Sequence, residues 1–449
     1  LKFTLDDILR AVAGRMLDRG IPPDHLSARV VEDVTIDSRR AGTTSLFVPI
    51  VADRDGHDFI SDAVSRGAIA YLTSGRSVSE GEAAAIEVAD TSAALADLGR
   101  AARARVGDFV VGITGSVGKT TVKELARGAL APLGTVAASP ASYNNELGVP
   151  LTLLNAPDRP DAVVIEMGAR GVGHIASLCD IASPTVAIVT EVAGAHLELF
   201  GTLDEIARAK SEIVATLPRN GLAVLNGDNP RVRRMRAVTE AEIAEFGMEP
   251  HVDVTAEDID VDHELRASFT LRSPWGSGRV RLGVRGAHQI RNALAAAIPA
   301  LWHGIPSDDV VGGLGAVEPP DGRMDVLRSV NGAIVIDDAY NANPTSMRAA
   351  LTSLAHLRAD RKIAVVGLMA ELGDTAADGH RDISRLAEEL GVELIAVGTD
   401  LYGSAPSSID GVFEALRDID ASTAVLVKGS RVAALERVVE ALTGRHSVE

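Results

Sequence analysis

The chain has 449 residues, 62 acidic against 44 basic side chains and a net charge of −18, a balance that argues against nucleic acid or an anionic membrane surface as a general partner. Its single cysteine, Cys179, excludes internal disulfides and cysteine-based zinc sites and fits a reducing compartment. No apolar run approaches the roughly 20 residues that span a bilayer, and no signal-peptide pattern opens the sequence, so the expected setting is the cytoplasm.

The length predicts about three domains. Hydrophobic residues make up 46% and aromatics only 3%, so the cores rest on Ala, Val, Leu and Ile. Residues 1–107 read as a first, smaller unit. Thr4 is placed to cap a helix in which Leu5, Ile8, Leu9 and Val12 recur at helical spacing. Short strands follow at Val34–Arg39 and Ser45–Pro49. A charged loop between Val51 and Phe59 holds Asp55, Gly56, His57 and Asp58, and leads to a helix over 60–66 and a strand over 68–72. Ser38, Arg39 and His57 have the chemistry to hold an anion, but composition alone favours a solvated turn.

Residues 108–318 read as the middle unit. An apolar run, Phe109 to Ile113, enters Thr114–Thr121 (TGSVGKTT), and a helix-like run, Val122 to Leu130, leaves it. Strand, glycine-rich turn and helix form the layout that cradles a polyphosphate. Backbone N–H groups from Gly115 through Ser116, Val117 and Gly118 turn inward, and the helix N-terminus adds partial positive charge. Lys119 supplies a full charge, and Thr120, followed by Thr121, offers a hydroxyl to Mg²⁺. The strict Walker spacing is missed, because Ile113 stands where glycine is wanted. Further strand-like runs at 162–165, 186–190 and 222–225 alternate with helices, which predicts a parallel sheet covered on both faces. Residues 252–284 instead alternate polar and apolar around a Pro274-Trp275-Gly276 turn and read as antiparallel strands. Residues 319–449 open on a Pro319-Pro320-Asp321-Gly322 linker. Strands at 333–337, 363–366, 394–397 and 424–427 then suggest a second doubly wound α/β domain.

Several residues carry chemistry. Glu166 ends an apolar strand one unit past the phosphate loop, where a carboxylate can reach Mg²⁺. Lys210 falls in the middle of an apolar helical face with Ile206, Ile213 and Val214. A lysine there must snorkel, find a counter-charge or change its charge, and His196 lies in the loop before it. His288 and Asn292 share a helical face and are candidates for a base edge, or for a capped helix start. Asp337–Pro344 (DDAYNANP) crowds acids and amides after an apolar strand, where ligands bind. Arg323 stands just past the linker, placed either to close onto a terminal phosphate or simply in solvent. Asn226–Pro230 reads as an ordinary post-strand turn, and Lys428–Arg431 as an anion-friendly strand–helix junction or a plain helix start.

Taken together, Gly112–Thr121 (GITGSVGKTT), Tyr143–Leu151 (YNNELGVPL), Ile165–Gly168 (IEMG), His196–Glu198, Ala209–Glu212 (AKSE), His288–Asn292 (HQIRN), Asp337–Pro344, Glu371–Gly373 and Val427–Arg431 (VKGSR) resemble the Mur ligases over nearly the whole chain. The resemblance implies a three-domain α/β architecture: 1–107 for a UDP-sugar peptide, 108–318 for ATP, and 319–449 for the incoming amine. It implies ATP-dependent amide ligation through an acyl phosphate in peptidoglycan precursor synthesis. The YNANP run leans towards UDP-N-acetylmuramoyl tripeptide as acceptor and D-alanyl-D-alanine as amine. Implied roles follow the motifs: Gly115 to Thr121 as phosphate grip, Thr120 and Glu166 on one Mg²⁺, and His196 on a second. Lys210 is implied to be carbamylated and to help hold that metal site. Asn145 is expected near the phosphates, Asn292 at adenine, Asp338 and Asn341 in the ribose region, and Arg323 at the terminal phosphate. Ser38 and Arg39 match the uridine-nucleotide pocket, and His57, Lys428 and Ser430 are expected to meet substrate. A monomer is expected. Two departures stand out: Leu368 replaces the usual Asp before Met369, and the Val51–His57 loop is ordinary only at its Asp-Gly-His end. A ligase of the same chemistry with another acceptor, or an ATP-binding subunit without catalysis, are the competing expectations.

Overall fold

The computed structural model describes residues 1–17, 28–75, 83–140, 142–194 and 197–445. Local chemistry starts the chain as expected: Thr4 caps the Leu5–Ala11 helix, and its partner Asp7 closes a capping box. Five strands of the first 107 residues form one sheet, in the order Arg15–Met16, Ala84–Glu87, Ala70–Thr73, Ser45–Phe47, Asp33–Thr35. The strand expected over Val34–Arg39 stops at Thr35. The Asp37 carboxylate accepts the Arg39 N–H and turns the chain into a short 3-10 segment at Ser38–Arg40.

The middle sheet has six parallel strands in the order Glu242–Phe246, Leu222–Asn226, Val186–Val189, Val110–Thr114, Ala162–Glu166, Val136–Ala138. Its central strands are buried along their whole length, which is why they read as unbroken apolar runs. Val110–Thr114 lies between Ala162–Glu166 and Val186–Val189, so the chain leaves it toward one edge and returns on its other side. The crevice at that reversal is where open α/β sheets bind ligands. The Lys119–Leu130 helix buries Val122, Leu125, Ala126 and Ala129 on the sheet. Helix Gln289–Trp302 packs beside it, and so does helix Ser307–Gly315, so closely that a Cβ on Gly128 would lie 2.6 Å from the Gly313 carbonyl.

Thr255–Val261, Arg266–Ser273 and Gly276–Arg285 form the expected antiparallel sheet. The middle strand alternates in burial, with Ala267, Phe269 and Leu271 inside. From the turn before it, Leu265 enters the core of the C-terminal part, among Met324, Met347 and Leu354.

The last sheet runs Asp325–Arg328, Ile334–Asp338, Thr423–Lys428, Arg361–Val366, Glu393–Ala396. Its four predicted strands fall within two residues of expectation and are parallel. Asp325–Arg328 pairs antiparallel at the edge and was not foreseen, nor were Val136–Ala138 and Glu242–Phe246. No helix among the described residues is long and apolar enough to cross a membrane.

Candidate active site

Three strand ends of the middle sheet converge at the crevice. After Thr114 the chain bends through Gly115 and Gly118, both at positive φ. Gly118, at φ +85°, sits immediately before the Lys119–Leu130 helix, and a Cβ there would lie 2.6 Å from Asn292 Oδ1. The base-edge candidate Asn292 therefore stands directly on the phosphate loop, its amide donating to Gln289 at 2.6 Å. The loop is braced from the next strand: Ser116 N–H donates to the Glu191 carbonyl, and Thr190 Oγ1 donates to the Val117 carbonyl at 2.6 Å.

Lys119 folds back to donate to the Gly115 carbonyl at 2.9 Å. Burial lowers its pKa, Arg323 adds to that, and Glu166 opposes it. Thr120 Oγ1 donates to Glu166 Oε2 at 2.8 Å, and Asn144 donates to Glu166 Oε1 at 2.9 Å. Hydroxyl and carboxylate oxygens side by side suit a hard cation such as Mg²⁺, which takes few protein ligands and completes its shell with phosphate oxygens and water. Among the described residues no three His, Cys, Asp or Glu side chains gather into a self-sufficient metal site. His196 lies outside the described residues. The expected Asn145 lines the neighbouring cavity, but its side-chain oxygen caps the Gly148–Leu154 helix through Leu147 and Gly148 N–H. Asn144 holds Glu166 instead.

Two cavities open from this point. The larger, about 730 Å³, runs between the phosphate loop, the start of the Gln289–Trp302 helix, and Arg323, Asp338, Tyr340 and Asn341 of the C-terminal part. Its far wall includes Glu191, Phe246, Met248 and Ile259. The smaller, about 500 Å³, is lined by Tyr143, Asn145, Arg170, His174, Lys210 and Glu371, and by Ile36, which follows the last strand of the first sheet. Lys119, Ser142 and Asn144 line both.

Lys210, on helix Leu203–Ala215, is only 4% exposed. Its ammonium makes no hydrogen bond or ion pair among the described residues. Burial, with Lys119 nearby, pulls its pKa down to about 7. Across the larger cavity Lys428, 2% exposed, donates to Asp338 Oδ2 at 2.6 Å and to the Asn341 carbonyl at 2.8 Å. Burial still raises the Asp338 pKa, outweighing Lys428. Burial likewise pushes Asp337 up to about 6, with Asp338 adding to it, against the opposing Ala339 N–H. His288 has a buried Nδ1 with no hydrogen-bond partner among the described residues, and burial, reinforced by Lys428, lowers its pKa to about 4. Ser430 accepts the Ala370 N–H and donates to the Ala342 carbonyl. Lys428 and Ser430 thus hold the Asp337–Pro344 loop in place.

The first-unit candidates stand apart, since neither cavity is lined by Ser38, Arg39 or His57. Arg39 is exposed and pairs with Asp37. His57 is buried, its Nδ1 against Asp55 and its Nε2 accepting the Ser74 N–H, so its ring fixes the loop. The Asn226–Pro230 turn behaves as a turn, with Asn229 capping the next helix. Asn226 and Asn229 also donate to Glu191, at the third polar strand end that the sequence marks for the crevice, and burial raises the pKa of this acid.

Comparison with known proteins agrees with this geometry. Residues 113–300 match the Mur ligase middle domain, and residues 322–446 the Mur ligase glutamate ligase domain. A Mycobacterium tuberculosis protein named UDP-N-acetylmuramoyl-tripeptide–D-alanyl-D-alanine ligase is 37% identical over 98% of each chain. The crystal structure of MurF from Acinetobacter baumannii superposes with a TM-score of 0.87 at 31% identity over 99% of each chain. MurF from Thermotoga maritima, solved in complex with ADP, gives a TM-score of 0.81 at 29% identity over 92% of this chain and 97% of that one. With phosphate loop, paired cavities and both domain matches in one chain, this protein belongs to the Mur ligase family.

Proposed function

We propose that the chain is an ATP-dependent amide ligase that joins D-alanyl-D-alanine to a UDP-N-acetylmuramoyl tripeptide through an acyl phosphate, a step in peptidoglycan precursor synthesis. Residues 1–107 bind the UDP-sugar, 108–318 bind ATP, and 319–449 bind the amine. One observation carries the reading: the two cavities share Lys119. An enzyme that only hydrolysed ATP would need the first cavity alone. Two anions, a triphosphate and a carboxylate, repel each other, and a cation common to both cavities lets them meet.

ATP occupies the larger cavity, with its phosphates on Gly115 to Thr121 and its base beside Asn292. Asp338 and Asn341 serve the ribose region. Mg²⁺ would be held by Thr120 and Glu166, and when bound it neutralises charge on the phosphates. The tripeptide's terminal carboxylate enters the smaller cavity. One of its oxygens attacks the γ-phosphorus and ADP leaves. The amine of D-alanyl-D-alanine, having lost a proton, then attacks the acyl carbon. Phosphate departs with the former carboxylate oxygen. Lys119 and Arg323 stabilise the charge on the transferring phosphoryl group.

Lys210 is assigned as a carbamate. An amine with a pKa of about 7 is substantially neutral under physiological conditions, and only the neutral amine adds to CO₂, releasing a proton. The product is an anion facing Lys119, which removes the repulsion between two buried ammonium groups. The carbamate would also orient the second metal position expected near His196. Ser38 and Arg39 are kept as contacts to the uridine nucleotide, while His57, Lys428 and Ser430 act by holding loops.

The test mixes enzyme, Mg²⁺, ATP and UDP-N-acetylmuramoyl tripeptide and follows ADP with and without D-alanyl-D-alanine. Sustained ADP release that requires the dipeptide is expected. Release indifferent to the dipeptide, or satisfied only by another amine, contradicts the assignment.

A further inference from the structure

Tyr340 sits in the Asp337–Pro344 loop and touches three things at once. Its hydroxyl lies 2.7 Å from Ser142 Oγ, a direct side-chain hydrogen bond between the C-terminal and middle parts of the chain. Its ring carries the Arg323 guanidinium, with Cζ 4.1 Å from the centroid. Its N–H donates to the Gly322 carbonyl at 3.1 Å, the residue before Arg323. Gly322 is at φ +65°, which suits glycine, so the bend that presents Arg323 to the ring is built into the backbone. On the other side, Ser142 lines both cavities. Two residues on, Asn144 holds Glu166.

We propose that Tyr340 is a positioning residue: its hydroxyl bond to Ser142 ties closure of the C-terminal part to the simultaneous placement of Arg323 and the Asn144–Glu166 pair. This rests on the ligase reading above. The ring alone could hold Arg323, but only the hydroxyl registers that arginine against the segment carrying Asn144. The two ends of the phosphoryl-transfer site, cation on one part and metal ligand on the other, are thereby assembled in one event. The expected signature is a loss in the rate of turnover, with ATP binding little affected, because the bond forms as the site closes.

The experiment is a double-mutant cycle on the full chain with Tyr340→Phe, Ser142→Ala and the double variant. Tyr340→Phe keeps the ring under Arg323. One neutral hydrogen bond predicts that each single change lowers kcat roughly three- to tenfold, with KM for ATP close to the parent value. The double variant should be no slower than either single. A double variant slowed by the product of the two singles, or Tyr340→Phe at the parental kcat, overturns the proposal. A second readout does not need ligation. Cys179 is buried, so spin labels at Asp309→Cys and Asp382→Cys, both exposed positions, report the distance between the parts with an ATP analogue bound. If the parent itself released no ADP with tripeptide and dipeptide, the ligase reading would have failed, and the distances alone would decide. An equal shift of both single variants away from the parental distance supports the bond as the tie. Unchanged distances in both overturn it.

Discussion

Replacing Lys210 with methionine should stabilise the protein near neutral pH while abolishing ligation. The amine is buried, and its pKa falls from 10.5 to about 7, chiefly through burial. Each tenfold step in that gap of proton affinity corresponds to about 1.4 kcal/mol, so the full penalty of burying the ammonium approaches ~5 kcal/mol. Below pH 7 the folded and unfolded states both carry the proton, and the folded state bears the whole penalty. Between pH 7 and 10.5 the folded amine is already neutral while the unfolded chain still holds protons. Stability of the parent therefore rises with pH across that window, and methionine, which never titrates, has no such slope. Urea unfolding of parent and Lys210→Met in CO₂-free buffer at several pH values from 6 to 10 measures this. The advantage of the variant should be greatest at pH 6 and shrink by about 1.4 kcal/mol per pH unit above 7. Bicarbonate should stabilise the parent alone, because only the parent has an amine to carbamylate. A difference that does not change with pH, or a variant less stable throughout, would refute the reasoning.

Gly118→Ala meets both a positive φ and the Asn292 side chain, so affinity for an ATP analogue should fall roughly fivefold or more, from strain of about 1–3 kcal/mol, with the circular dichroism spectrum unchanged. Glu166→Gln leaves one of the two donors from Thr120 and Asn144 facing an amide nitrogen. The Mg²⁺ concentration for half-maximal ADP release should rise about tenfold or more. Lys428→Met strands Asp338 without its counter-charge and should cost about 3–5 kcal/mol in urea unfolding. Adding Asp338→Asn should recover much of that loss, and an additive double variant would show that the pair does not act as one unit.

The phosphate loop was legible because its signals are local: an apolar strand, two glycines at fixed spacing, and a lysine opening a helix. Lys210 was legible for a similar reason, since a charged residue in the middle of an apolar helical stripe conflicts with its surroundings whatever the tertiary structure. Glu166 followed from the apolar run that it ends. What escaped depends on contacts between distant segments. Neighbouring asparagines 144 and 145 differ only in which one faces Glu166 and which one caps a helix, and periodicity does not distinguish them. Tyr340 and Ser142 are 198 positions apart, and neither has a local oddity to mark it. For His57 composition favours a solvated turn, yet in the fold the ring is buried and both nitrogens are used, by Asp55 and by the Ser74 N–H, contacts that no local pattern announces. Strand Asp325–Arg328 escaped because it lies at a sheet edge and is only partly buried, so its sequence lacks the apolar run that marked its neighbours.

The most direct test of the account follows an oxygen atom. UDP-N-acetylmuramoyl tripeptide labelled with ¹⁸O in its terminal carboxylate is turned over with unlabelled ATP and D-alanyl-D-alanine, and the released phosphate is weighed by mass spectrometry. Transfer through an acyl phosphate places one labelled oxygen in each phosphate formed. Phosphate without label, alongside normal ADP release, would mean that ATP is split by water and that the two cavities do not bring their anions together.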